Sequence, residues 1–86
     1  MKIKEEKFCG WAMFSREHGC YFGRYSGNIY GAYNSPYDYE VRSLLTNTKE
    51  EIIKIFNECE DPFYGGKHTW GFEPVYVTLS LEVKTK

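Results

Sequence analysis

The sequence predicts an α+β fold: a small antiparallel sheet of four to five strands with one amphipathic helix packed on one face, in the order β-β-β-(β)-α-β. Three observations carry this. Val75, Val77, Leu79, Leu81 and Val83 alternate strictly with Tyr76, Thr78, Ser80 and Glu82, the period-two signature of a strand with one buried face. Between Thr48 and Cys59, Ile52, Ile55, Phe56 and Cys59 recur at helical spacing, so a short helix can lie across the apolar face of that strand. Upstream, Cys20 to Ser26 and Ile29 to Asn34 are short aromatic runs joined by Gly27 and Asn28, with glycine first as a type II′ hairpin requires.

In chain order, residues 1–7 are mostly charged and read as a frayed lead-in anchored by Ile3. Phe8 to Phe14 is almost continuously apolar, as a strand covered on both faces would be, and the polar cluster Ser15 to Gly19 ends it in a turn. Asn34, Ser35, Pro36 and Asp38 interrupt the pattern after the hairpin, and Tyr39 to Leu45 reads as a short fourth strand. Thr48 followed by Glu51 is a capping box, which starts the helix at Thr48; Asp61 and Pro62 end it near Glu60. Residues 61–74 then form a long aromatic loop.

At 86 residues the chain reads as a single domain whose small core a dimer interface or a ligand would support. A formal charge of -1 disfavours binding of long nucleic acid by bulk electrostatics, and no apolar run reaches the length of a membrane span. Cys9, Cys20 and Cys59 form no CxxC pair, which fits reduced thiols and a cytoplasmic location.

Tyrosine is the compositional anomaly. Six of the eight tyrosines lie between Tyr21 and Tyr39, and Arg24 is the only charged residue from Gly19 to Tyr37. With Gly27 and Asn28 as the turn, Tyr25 pairs with Tyr30, Gly23 with Ala32 and Phe22 with Tyr33. Cys20, Phe22, Ile29 and Tyr33 then face the helix, while Tyr21, Tyr25 and Tyr30 surround a notch floored by Gly23 and Ala32. A five-residue turn after Phe14 adds Trp11 and Met13 to that outer face; a four-residue turn flips the first strand and removes Trp11. Three things could cover such a patch: the 61–74 loop or a further strand, a second copy of the sheet, or a flat ligand stacked on the rings, with Arg24, Arg16 or Lys67 meeting phosphate.

The remaining candidates are less specific. His18, Cys20, Cys9, Cys59 and His68 could supply zinc ligands, but they lack the close pairs typical of a structural site, and no base or oxyanion site accompanies a Cys-His pair. No metal, cofactor or catalysis is expected. Gly65, Gly66, Lys67 and His68 resemble a phosphate-binding turn, equally readable as an ordinary loop tip.

The short strands, the Thr48-Lys49-Glu50-Glu51 helix opening and the closing strand from Gly71 to Val77 resemble, in layout, the small single-domain proteins of bacteriophages. That resemblance implies an antagonist of host defence. The expected function is sequestration of a nucleotide-derived signal, of cyclic oligonucleotide or ADP-ribose type, by a homo-oligomer. Trp11, Tyr21, Tyr25 and Tyr30 would stack, and Arg24, Lys67 and His68 would complete the ligand site. The alternative is a protein inhibitor of a bacterial defence effector, anti-CRISPR-like, using the same patch.

Overall fold

The computed structural model describes residues 2–60, 63 and 65–85. The elements are β1 (Lys2–Ser15), β2 (Cys20–Ser26), β3 (Ile29–Tyr33), α1 (Tyr39–Arg42), α2 (Lys49–Glu58), a 3-10 turn (Lys67–Thr69) and β4 (Phe72–Thr85). They build the α+β domain expected: one antiparallel sheet in the order β3-β2-β1-β4, with α2 as the main helix against it.

The termini depart from expectation. Lys2–Lys7 is not a frayed lead-in, because all of β1 pairs with β4 in unbroken register, from Lys2 opposite Thr85 to Ser15 opposite Phe72. β1 pairs with β2 only at Phe14–Tyr21 and Ser15–Cys20. Beyond the fork the two long strands continue as a ribbon, giving principal dimensions of 48 × 25 × 22 Å. β4 also begins earlier than the 61–74 loop allowed; within that stretch residues 61, 62 and 64 lie outside the described residues.

Tyr39 to Leu45 is not a strand. Val41, Leu44 and Leu45 stand at i, i+3 and i+4, helical spacing in a run too short for period alone to decide. The Asp38 carbonyl accepts from the amides of Val41 and Arg42, starting α1. The backbone of Glu40 then lies over Gly23 on one side of the sheet, while Leu44 joins Met13, Phe22, Ile52, Phe56 and Phe63 in the core on the other. Just past Leu44 the chain lies in the fork, where Thr46 exchanges both backbone bonds with Trp11 at 2.9 and 3.2 Å. Gly10 makes room for this: at φ +155, a Cβ there would lie 2.6 Å from the Thr46 carbonyl oxygen.

α2 forms where the capping box placed it. The Thr48 hydroxyl accepts from the Glu51 amide at 3.2 Å and donates to the Glu51 carboxylate at 3.1 Å. Ile52 and Phe56 are buried, with Ile55 and Cys59 partly so. The helix does not lie on the Val75–Val83 row, however. Trp11, Met13 and Phe72 pack into its cluster, so the β4 residues on its side are Phe72, Pro74 and Tyr76, and the Val75, Val77, Leu79 row faces the opposite way. Phe63, Trp70 and Phe72 from the approach to β4 supply the aromatic half of this core, with ring centroids 4.9 to 6.2 Å apart.

Candidate functional site

Two one-residue events decide where the tyrosines go. The turn after β1 has four residues, Arg16 to Gly19, because Ser15 pairs with Cys20. This gives Met13 the same face as Phe22 and turns Trp11 towards the core, where its ring meets Tyr76 edge-on at 5.5 Å. The hairpin turn is as expected, with Gly27 at φ +52. Just before it, Arg24 pairs with Tyr30 and Ser26 with Ile29, leaving Tyr25 as the extra residue of a β-bulge. The register beyond shifts by one, so Phe22 pairs with Ala32 and Tyr21 with Tyr33.

The expected patch is therefore divided between two faces. Trp11 and Tyr30 pack on the α2 core, the Tyr30 ring 5.1 Å from Phe22. Tyr21 lies on the opposite face against Phe14 at 4.7 Å, and Tyr25 is 71% exposed at the bulge. Tyr33, expected towards the helix, also lies on that opposite face and fills the notch: a Cβ on Gly23 would meet its ring at 2.7 Å. Arg24 is exposed. His68 is exposed with its ring edge-on to Phe56 at 5.9 Å.

Lys67 is not a surface cation. It is only 5% exposed, and its ammonium donates to the carbonyls of Phe56 at 2.5 Å, Asn57 at 3.0 Å and Cys59 at 3.0 Å. These are the acceptors that the end of α2 leaves without helical partners, and the last turn of α2 carries no basic residue of its own. The glycines that suggested a phosphate turn, at φ +80 and +97, turn the chain so that Lys67 reaches back to the helix.

What the structure does assemble is a tyrosine face on the α1 side of the sheet, a grouping that a strand over Tyr39 to Leu45 does not bring together. Tyr25, Tyr37 and Tyr39 are 71%, 46% and 69% exposed. Arg42 fixes one end of it, with its guanidinium 5.1 Å from the Phe8 ring centre, 5.6 Å from that of Tyr39, and its Nε donating to the Tyr37 carbonyl at 2.8 Å. At the other end, the Tyr33 hydroxyl is pushed above its ordinary 10.0, first by burial and then by the nearby Glu40, Tyr25 and Asp38. The face thus combines braced phenol rings with two carboxylates.

A separate cleft of about 260 Å³ lies at the end of α2, lined by Asn28, Tyr30, Ile55, Glu58, Cys59 and Glu60. Two carboxylates beside a helix C-terminus make it unfavourable for phosphate. Of the potential zinc ligands, His18 stacks on Trp70 at 4.0 Å, Cys20 is buried and Cys9 is exposed on the ribbon. Among the described residues no three His, Cys, Asp or Glu side chains gather as a metal ion would need, and no helix is long and apolar enough to cross a membrane. Compared with family models, curated proteins and solved structures, the chain matches none.

Proposed function

We propose that this chain is a non-enzymatic binding protein that docks on a protein partner through the tyrosine face, acting as an inhibitor of a bacterial defence effector. The observation that carries the binding reading is the exposure of Tyr25, Tyr37 and Tyr39 beside Asp38 and Glu40, with Arg42 holding the Tyr37 carbonyl and the Tyr39 ring. Tyrosine brings large contact area at low entropic cost and concentrates binding energy at interfaces. The carboxylates select a partner surface that offers arginine or lysine. The effector as target rests on the layout resemblance to phage proteins. Capture of a nucleotide-derived signal draws less support, since Trp11 and Tyr30 serve the core, Lys67 serves α2, and the α2 cleft is acidic.

The test is retention of a bacterial effector on immobilised protein, followed by calorimetry with the purified pair. Tyr25→Ala and Tyr39→Ala should each weaken binding by about tenfold or more, the scale of an interface hot spot, while Lys54→Ala on the exposed side of α2 leaves it unchanged. Equal affinity in both tyrosine variants would sink the proposal. So would a rise in melting temperature with a cyclic oligonucleotide in place of any protein partner.

A further inference from the structure

We infer that two copies of this chain pair edge to edge through β4, making one continuous antiparallel sheet. The inference is independent of the tyrosine face and starts from backbone geometry. Trp11 directs its N–H and C=O away from β4, to Thr46. Odd-numbered residues of β1 therefore point away from β4 and even-numbered ones towards it. In the unbroken β1–β4 register, Gly10 opposes Val77 and Ala12 opposes Val75, so the odd residues of β4 bond to β1. Its even residues, Pro74, Tyr76, Thr78, Ser80 and Glu82, direct their backbone groups outward. β4 is the end strand of the sheet, so among the described residues this edge has no partner strand.

The position of Pro74 agrees with this assignment. Its missing N–H falls on the outer edge, where it removes no bond to β1, and it marks where a pairing edge would end. From Tyr76 to Glu82 the devices that protect an edge are missing: the register has no bulge, no lysine interrupts it, and Tyr76, Thr78, Ser80 and Glu82 are all exposed. At 14 residues β4 is well beyond the usual strand length of about five or six.

The edge is complementary to itself. A two-fold axis at Leu79 sets Leu79 opposite Leu79 and Val77 opposite Leu81 of the second copy, extending the apolar row on one face. On the other face it sets Thr78 opposite Ser80 and Tyr76 opposite Glu82, so the two Glu82 carboxylates stay apart. Exchange at these outward positions forms about eight backbone hydrogen bonds. The interface is about 24 Å long and smaller than a standard one, which points to micromolar association.

The test is sedimentation velocity on the full chain up to about 200 μM, well above the expected Kd. Wild type should shift to dimer with concentration. Thr78→Pro removes only an outward donor and should be monomeric throughout, with its far-UV spectrum retained. Should proline disturb the strand, Thr78→Lys with Ser80→Lys places lysine opposite lysine across the axis and should also be monomeric. Mixing it with the Thr78→Glu, Ser80→Glu protein should restore the dimer as a heterodimer. A wild type that stays monomeric, or a dimer that survives in the proline and lysine variants, overturns the inference.

Discussion

Replacing Lys67 with methionine tests the reassignment of this residue from ligand contact to helix anchor. The substitution keeps an unbranched chain against the Phe56 ring, over which the ammonium sits at 5.4 Å, and removes the charge and its donors. Three carbonyls at 2.5 to 3.0 Å then lose their common donor. A hydrogen bond from a charged group contributes about 1.5–3 kcal/mol. The three bonds share one cation and do not add, and burying the ammonium opposes them. A net loss of about 2–4 kcal/mol follows, a large share of the stability of a small domain. The melting temperature should fall by roughly 10–25 °C at this chain length. Urea unfolding followed by far-UV circular dichroism measures the loss directly. Lys67→Arg should fall between, since a planar guanidinium cannot direct three donors to converging carbonyls. A Lys67→Met protein within about 0.5 kcal/mol of wild type would refute the anchoring role, because substitutions at a free surface lysine stay within that range.

Three further outcomes follow from the same packing. Gly10→Val should lower stability by about 2 kcal/mol or more in urea titration, since its Cβ meets the Thr46 carbonyl at 2.6 Å and φ +155 strains a branched residue. Ser15→Ala should cost about 1–3 kcal/mol, because its buried hydroxyl donates to the Trp70 carbonyl at 2.5 Å and accepts from the His18 amide at 3.2 Å. Burial pushes the Cys20 thiol above its ordinary 9.0, and the Tyr33 hydroxyl is likewise raised above 10.0. The folded state then favours their neutral forms. Their stabilisation is whole below pH 9 and declines as pH rises through the folded values, so urea midpoints should fall from pH 9 upward, and less so in Cys20→Ala.

The elements with a strong local signal were legible. Val75 to Val83 reads as a strand because alternation over nine residues has no helical equivalent, and Thr48 with Glu51 marks the start of α2 because capping is set by chemistry within one turn. The Gly27–Asn28 hairpin belongs to the same class. What escaped were choices made at a distance. α1 is only four residues long, and its fold depends on Val41 and Leu44 finding buried places that local sequence does not announce. Lys67 lies eight residues beyond Cys59, and nothing near it says that α2 ends without a cation of its own.

The site depended on parity, which is why its residues could be named while their grouping was missed. A strand assigns side chains to faces by odd and even position, so an error of one residue exchanges the faces completely. Two such steps occur here. The four-residue turn turned Trp11 inward, and the bulge at Tyr25 let Tyr30 join Phe22 while Tyr33 covered Gly23. Both steps act on the same face: together they bring Met13 of β1, Phe22 of β2 and Tyr30 of β3 to the α2 side of the sheet, while Phe14, Tyr21 and Tyr33 go to the other. Tyr25 is the residue the bulge leaves over, which is why, among the described residues, it stands most exposed of the large apolar and aromatic side chains. The exposure of Tyr25 is thus a product of how the α2 side of the sheet was filled, while Tyr37 and Tyr39 reach the same surface from α1 and the turn before it.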